Sequence, residues 1–220
     1  MISKPIPIEE AIKRLSDTYE KSKAPIISFM AAKGANEFTI LIGTMLSART
    51  RDSVTEKVLP GLFQKAPDAS SMSKLETEEI AKLIYPVSFY KNKANSLKNT
   101  AQVLLEKFGG KVPQTMDGLL ELPGVGRKTA NLVLAEAFQV PAICVDTHVH
   151  RISNIWGIVQ TKTPEETEMA LMKILPKEDW IKFNPLLVSH GQTVCIPVSP
   201  ICSQCVLNEI CPKFGVTRQR

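Results

Sequence analysis

The sequence predicts an all-α fold, and three observations carry that expectation. Apolar residues recur at helical spacing in one segment after another, strand-like alternation is almost absent, and helix start and stop residues flank the periodic segments. Phe38, Leu41, Ile42, Met45 and Leu46 fall at i, i+3, i+4, i+7 and i+8, one apolar helical face. Ala94, Leu97, Ala101, Leu104, Leu105 and Phe108 repeat the pattern in a helix that Gly109-Gly110 should end. Residues 115–121 and 127–138 predict two further helices around a glycine turn. Thr163, Pro164 and Glu166 then supply an N-cap, a proline at the first helical position and a capping-box glutamate. Trp180, Phe183, Leu186 and Leu187 predict a last helix ending near Gly191.

A chain of 220 residues that is 44% hydrophobic and 22% charged has material for a buried core, which excludes the disordered and fibrous classes. The 27 Lys and Arg against 22 Asp and Glu suit an anionic partner but also fit many enzymes that touch no nucleic acid. Met1-Ile2-Ser3-Lys4-Pro5 leads into Glu9 and Glu10 rather than an apolar leader. No stretch approaches the roughly 18 apolar residues of a membrane span. A soluble intracellular protein with no membrane partner is expected. Neither an internal repeat nor a long polar linker divides the chain.

Leu122-Pro123-Gly124-Val125-Gly126-Arg127-Lys128-Thr129-Ala130 sits between the helical patterns of 115–121 and 127–138, a helix-hairpin-helix candidate. Ala130, Val133, Leu134 and Ala137 share a face of the second helix, so its N-terminus adjoins the two glycines. Glycine lets backbone approach a ligand closely, and the unpaired N–H groups of a helix start attract phosphate. The loop can therefore grip a nucleic-acid backbone without reading sequence, or it can be a tight turn between core helices. A dinucleotide-binding fingerprint does not fit, because no strand precedes it and Thr129 stands at the third glycine's position.

Cys195, Cys202, Cys205 and Cys211 have the spacing C-x6-C-x2-C-x5-C. In a reducing compartment four crowded cysteines indicate a metal site rather than disulfides. Four thiolates suit a 4Fe-4S cluster or a tetrahedral zinc. Zinc sites usually carry two short Cys pairs, and only one C-x2-C occurs here. Cys144, flanked by Ile143 and Val145, reads as a core thiol.

Taken together these motifs resemble the endonuclease III family of helix-hairpin-helix DNA glycosylases, over nearly the whole chain. The likeness takes in Leu41-Ile42-Gly43-Thr44-Met45-Leu46-Ser47-Ala48, the hairpin, Val145-Asp146-Thr147-His148 and the four cysteines. It implies a six-helix barrel-like domain over 30–139 and a discontinuous helical domain of 1–29 and 140–220, with a DNA cleft between them. The cysteines of 195–211 would hold a 4Fe-4S cluster.

It also implies a bifunctional glycosylase and abasic-site lyase of base excision repair, acting on double-stranded DNA with oxidised or ring-saturated pyrimidines or abasic sites. A monomer is expected, cytoplasmic and nucleoid-associated if prokaryotic. Lys128 would be the nucleophile; the helix N-terminus and adjacent Arg127 both disfavour a second positive charge there. Asp146, a helix N-cap candidate in its own right, would assist the lysine and stabilise the cationic sugar. Only nine residues follow Cys211, which implies none of the extra C-terminal domain of the adenine-mismatch relatives.

Ser47, Arg49, Phe89, Leu122, Gly124, Val125, Gly126, Arg127 and His148 are the expected DNA contacts. Arg49 departs from the glutamine of many relatives, and either fills the gap left by an extruded nucleotide or is an exposed structural arginine. Phe89 aligns with the family's apolar wedge, or is a core aromatic. His148 and His150 are read as structural or DNA-contacting, not catalytic. The loop Ile196-Pro197-Val198-Ser199-Pro200-Ile201 lacks the basic residues common in the family's cluster loop. Two other readings stand beside this one. A non-catalytic hairpin DNA-binding protein with a structural cluster leaves Lys128 and Asp146 unused, and an electron carrier leaves the hairpin unexplained.

Overall fold

The computed structural model describes residues 4–19 and 25–220, and no strand occurs among them. Helix α1 (Ile8–Tyr19) is followed by α2 (Ile26–Ala32), α3 (Glu37–Ser47), α4 (Asp52–Lys65), α5 (Ala69–Lys74) and α6 (Thr77–Ile84). Then come α7 (Tyr90–Phe108), α8 (Met116–Leu120), α9 (Arg127–Phe138), α10 (Thr147–Ile155), α11 (Pro164–Ile174) and α12 (Trp180–Thr193). The chain divides into a contiguous unit, Ile26–Ala142, and a discontinuous one made of Met1–Pro25 and Ile143–Arg220.

The contiguous unit holds helices α2 to α9 among the described residues. Its core helix is α3, started by Asn36, whose Oδ1 accepts the Thr39 N–H at 2.8 Å. Burial of Ile40, Gly43 and Thr44 beside the predicted face shows that α3 is enclosed on more than one side. The long α7 ends where the glycine pair predicts: Gly109 takes a left-handed φ of 58°, and the Gly109 and Gly110 N–H groups both bond the Leu104 carbonyl.

The discontinuous unit has its own core, in which Ile12 and Leu15 of α1 join Ile152, Trp156, Phe183, Leu187 and Leu207. Trp156 and Phe183 meet edge to face at 6.3 Å. Thr163 caps α11 as predicted, accepting the Glu166 N–H at 3.1 Å. The Glu166 carboxylate, however, reaches back to the Lys162 N–H at 2.8 Å rather than to the cap residue.

Helix α12 ends at Thr193, two residues past Gly191, near which its end was expected. Gly191 instead serves packing: a methyl there would fall 2.5 Å from Nδ1 of His148 on α10. No helix among the described residues is long and apolar enough to cross a membrane.

Candidate functional site

The hairpin forms with the predicted limits. Thr115 caps α8, accepting the Gly118 N–H at 3.2 Å, and Gly126 is the N-cap of α9. Between them Gly124 has φ 81°, and its α-carbon lies so near the Ser96 and Met45 side chains that a methyl would come within 2.9 Å of Ser96 Cβ. Both the left-handed turn and the close packing therefore require glycine. Leu122 and Val125 are buried, and the Val125 N–H is used in the turn by the Leu122 carbonyl. Their side chains belong to the core, which leaves the exposed backbone around Gly124 and Gly126 as the surface of the loop. A methyl on Gly126 would meet nothing within 4 Å, so a ligand can come up to that backbone.

Lys128 is exposed, the second residue of α9. Asp146 lies in the discontinuous unit. It caps α10, its Oδ1 accepting both the His148 N–H at 2.9 Å and the Val149 N–H at 2.8 Å, which fixes the carboxylate against the backbone. The His148 ring lies against Gly191, with Nδ1 buried. His150 is held structurally, its Nδ1 2.7 Å from Thr167 Oγ1.

Ser47 turns its hydroxyl back to the Thr44 carbonyl at 3.0 Å. Arg49 and Phe89 share an unusual backbone, φ 55° and 58°, which side-chain-bearing residues adopt only when their surroundings impose it. Phe89 is 60% exposed, so it is not a core aromatic. Lys93, which sequence reasoning missed, donates from Nζ to the Leu46 and Ala48 carbonyls at 2.7 and 2.6 Å and to Thr50 Oγ1 at 3.1 Å. Its burial lowers the ammonium's pKa to about 8. The signal was its place one helical turn beyond Phe89, masked by the surrounding polar residues.

Cys195, Cys202, Cys205 and Cys211 line one cavity together with Ile155, Trp156 and His190. No set of three or more His, Cys, Asp or Glu among the described residues is arranged to hold a single metal ion. Polar groups aim at the sulfurs. Arg151 donates to the Cys195 carbonyl and approaches its Sγ at 3.6 Å, and the Leu207 N–H bonds Cys205 Sγ at 3.4 Å. Burial pushes the Cys205 thiol up to about 11 and raises Cys195 and Cys211 as well, so without an electropositive partner these sulfurs stay protonated. Donors aimed at sulfur serve a thiolate, the form that a bound metal imposes, and the residues present fit such a group. Cys144 is a buried core thiol whose carbonyl accepts from Asn184 at 2.8 Å.

Residues 42–177 match the HhH-GPD superfamily base excision DNA repair protein family. Endonuclease III of Thermotoga maritima is 46% identical over 81% of this chain and 84% of its own length. Endonuclease III of Synechocystis is 42% identical over 79% and 80%. A solved trapped covalent intermediate of endonuclease III with DNA, an estranged-adenine complex, superposes with a TM-score of 0.84 at 34% identity and covers 94% of both chains. The chain belongs to the HhH-GPD superfamily of base excision DNA repair proteins and is a DNA glycosylase and AP lyase of the endonuclease III type.

Proposed function

We propose that Lys128 is the nucleophile and Asp146 the assisting carboxylate, acting on oxidised or ring-saturated pyrimidines in double-stranded DNA. The neutral Lys128 amine attacks C1′ of the damaged nucleotide, and the bond from C1′ to the base breaks with its electron pair leaving on the base. Nζ then loses a proton, and the C1′–O4′ bond breaks with O4′ taking a proton, which leaves a Schiff base at C1′. In the β-elimination a base removes the C2′ proton, C2′=C3′ forms and the C3′–O bond breaks with its electron pair leaving on the 3′ phosphate. Asp146 supports the positive charge that develops on the sugar and takes part in the proton transfers. The observation that carries this reading is the place of Lys128, exposed at the N-terminal turn of α9 beside the open backbone of Gly126.

In the same reading, Gly124, Gly126 and Arg127 hold phosphate at the hairpin, while Ser47, Arg49 and Phe89 meet the duplex where the base is extruded. His148 acts structurally, its ring packing α10 against Gly191 of α12. Cys195, Cys202, Cys205 and Cys211 hold a 4Fe-4S cluster, which when bound joins four points of the discontinuous unit through thiolate–iron bonds. The protein works as a soluble intracellular monomer.

Borohydride trapping on a duplex with one thymine glycol tests the assignment. Wild type should give a protein–DNA adduct and Lys128→Ala none, although that variant should still bind lesion DNA. Asp146→Asn preserves the cap acceptor, so it should keep its fold and DNA affinity yet lose base-excision rate by about a hundredfold or more. On a preformed abasic site, where no base remains to be expelled, the Asn variant should be less impaired. Normal trapping by Lys128→Ala would remove the lysine from the mechanism.

A further inference from the structure

The end of α3 and the start of α7 are joined by one amine. The backbone N–H of Lys93 bonds the Phe89 carbonyl at 3.0 Å, while its Nζ holds the Leu46 and Ala48 carbonyls and Thr50 Oγ1. Thr50 Oγ1 in turn accepts the Ser88 N–H at 3.3 Å. Three donors of one ammonium thus meet three oxygens, two of them carbonyls at the C-terminal end of α3, where unpaired acceptors and the helix dipole both favour a cation. Arg49 and Phe89, both of left-handed backbone, lie within this bonded ring: Arg49 between Ala48 and Thr50, Phe89 between Ser88 and the first turn of α7, which the Lys93 N–H closes. Such conformations persist only where neighbours over-determine them. Tyr85 and Tyr90, which flank the 87–89 segment in sequence, meet edge to face at 5.3 Å.

We propose that Lys93 is a positioning residue that locks the 47–50 and 87–89 segments into one frame, so that Arg49 and Phe89 enter the duplex together in a fixed geometry. This rests on the reading above that those two side chains meet DNA at the extruded base. Lys93 touches neither substrate nor reacting atom; it acts through the two residues it spaces. Binding energy from Arg49 and Phe89 goes into extrusion only while both are held in register, because a shift of about an ångström in a positioning group can cost a hundredfold in rate.

The test is a set of single-turnover excision rates on a thymine glycol duplex, with 2-aminopurine beside the lesion reporting unstacking. Lys93→Met keeps length but removes the three donors, and Thr50→Val removes the hydroxyl that links Lys93 to Ser88 and also donates to the Ala48 carbonyl at 3.4 Å. Both should slow excision, Lys93→Met by about tenfold or more, and both should reduce the unstacking signal. Lys93→Arg, which retains several donors, should recover part of the loss.

The decisive comparison places Lys93→Met and Thr50→Val in an Arg49→Ala/Phe89→Ala background. If Lys93 acts through those side chains, neither change should cost anything further there. Losses that multiply in that background, or wild-type rates for Lys93→Met and Thr50→Val alone, would overturn the proposal while leaving the roles of Arg49 and Phe89 intact. Should Lys93→Met not fold, Thr50→Val carries the same comparison. An Arg49→Ala/Phe89→Ala protein that excises and unstacks like wild type would mean that the two side chains do not meet DNA, and the proposal falls with that reading.

Discussion

His148 and Gly191 are in such close register that a single added methyl on the glycine would land 2.5 Å from the imidazole Nδ1 and 2.8 Å from Cγ. Helix propensity alone favours alanine over glycine within a helix by about 1 kcal/mol. Overpacking opposes it by about 1–3 kcal/mol, and the distances here belong to the severe end. Gly191→Ala should therefore lower the Tm by roughly 4–8 °C, and His148→Ala in the same chain should give back much of that loss. Thermal unfolding of the two single variants and the double variant checks this. A Gly191→Ala protein as stable as wild type would show that the ring moves aside without cost.

Glu136 of α9 is a carboxyl in a place that favours its neutral form. Burial raises its pKa above the ordinary 4.5, partly offset by the Ser28 hydroxyl donating to Oε1 at 2.6 Å. A folded-state value above the unfolded one means that the folded protein binds the proton more tightly. The resulting stability is fully present below about pH 4.5 and is lost as the pH rises through the folded value. Glu136→Gln keeps an acceptor for Ser28 and carries no charge, so it should have a higher Tm than wild type at pH 7 and little advantage at pH 4. Equal melting temperatures at pH 7 would mean that the ionised carboxylate is solvated well enough to cost nothing.

Val198 stands 84% exposed at the tip of the loop between Cys195 and Cys202, with φ 71°. No cation occupies this loop, so it makes no charge-assisted contact with phosphate. If the loop faces DNA, Val198→Lys should steepen the log–log dependence of affinity on salt by about 0.9, the release expected for one new phosphate contact. Lysine suffers the left-handed backbone less than a β-branched valine does, so the fold should be unaffected. An unchanged slope in fluorescence anisotropy titrations would place the tip away from the duplex.

The hairpin was legible in the sequence because each of its parts is local: a cap threonine, two glycines, and an apolar face starting at the right residue. The same holds for the Gly109 stop of α7 and the Thr163 start of α11, where the deciding bonds span six residues or fewer. The four cysteines were legible for a different reason, since spacing alone gathers them in one stretch of chain.

What stayed hidden depends on partners far away in sequence. Lys93 reaches carbonyls 45 and 47 positions earlier, and its place one turn beyond Phe89 does not by itself show those partners. Gly191 looked like a helix stop because its real constraint, the His148 ring, lies on another helix. Glu166 matched a capping box by identity, yet its carboxylate found the Lys162 N–H, a choice between neighbouring donors that spacing does not decide. The left-handed backbones of Arg49 and Phe89 run against residue preference and arise from the bonds around them.

The discontinuity of the chain sets an order on its synthesis. All of the core of the contiguous unit lies within Ile26–Ala142, so that core can close once those residues have left the ribosome. The other core cannot, because Ile12 and Leu15 share it with Leu207, and the Arg14 guanidinium seeks a carbonyl at Val206, 192 residues downstream. At ordinary rates of translation the earliest helix waits on the order of several seconds for these partners after its neighbour has folded. Over that interval α1 is an amphipathic segment with its apolar side unburied, the part of the nascent protein that holdase chaperones are built to meet.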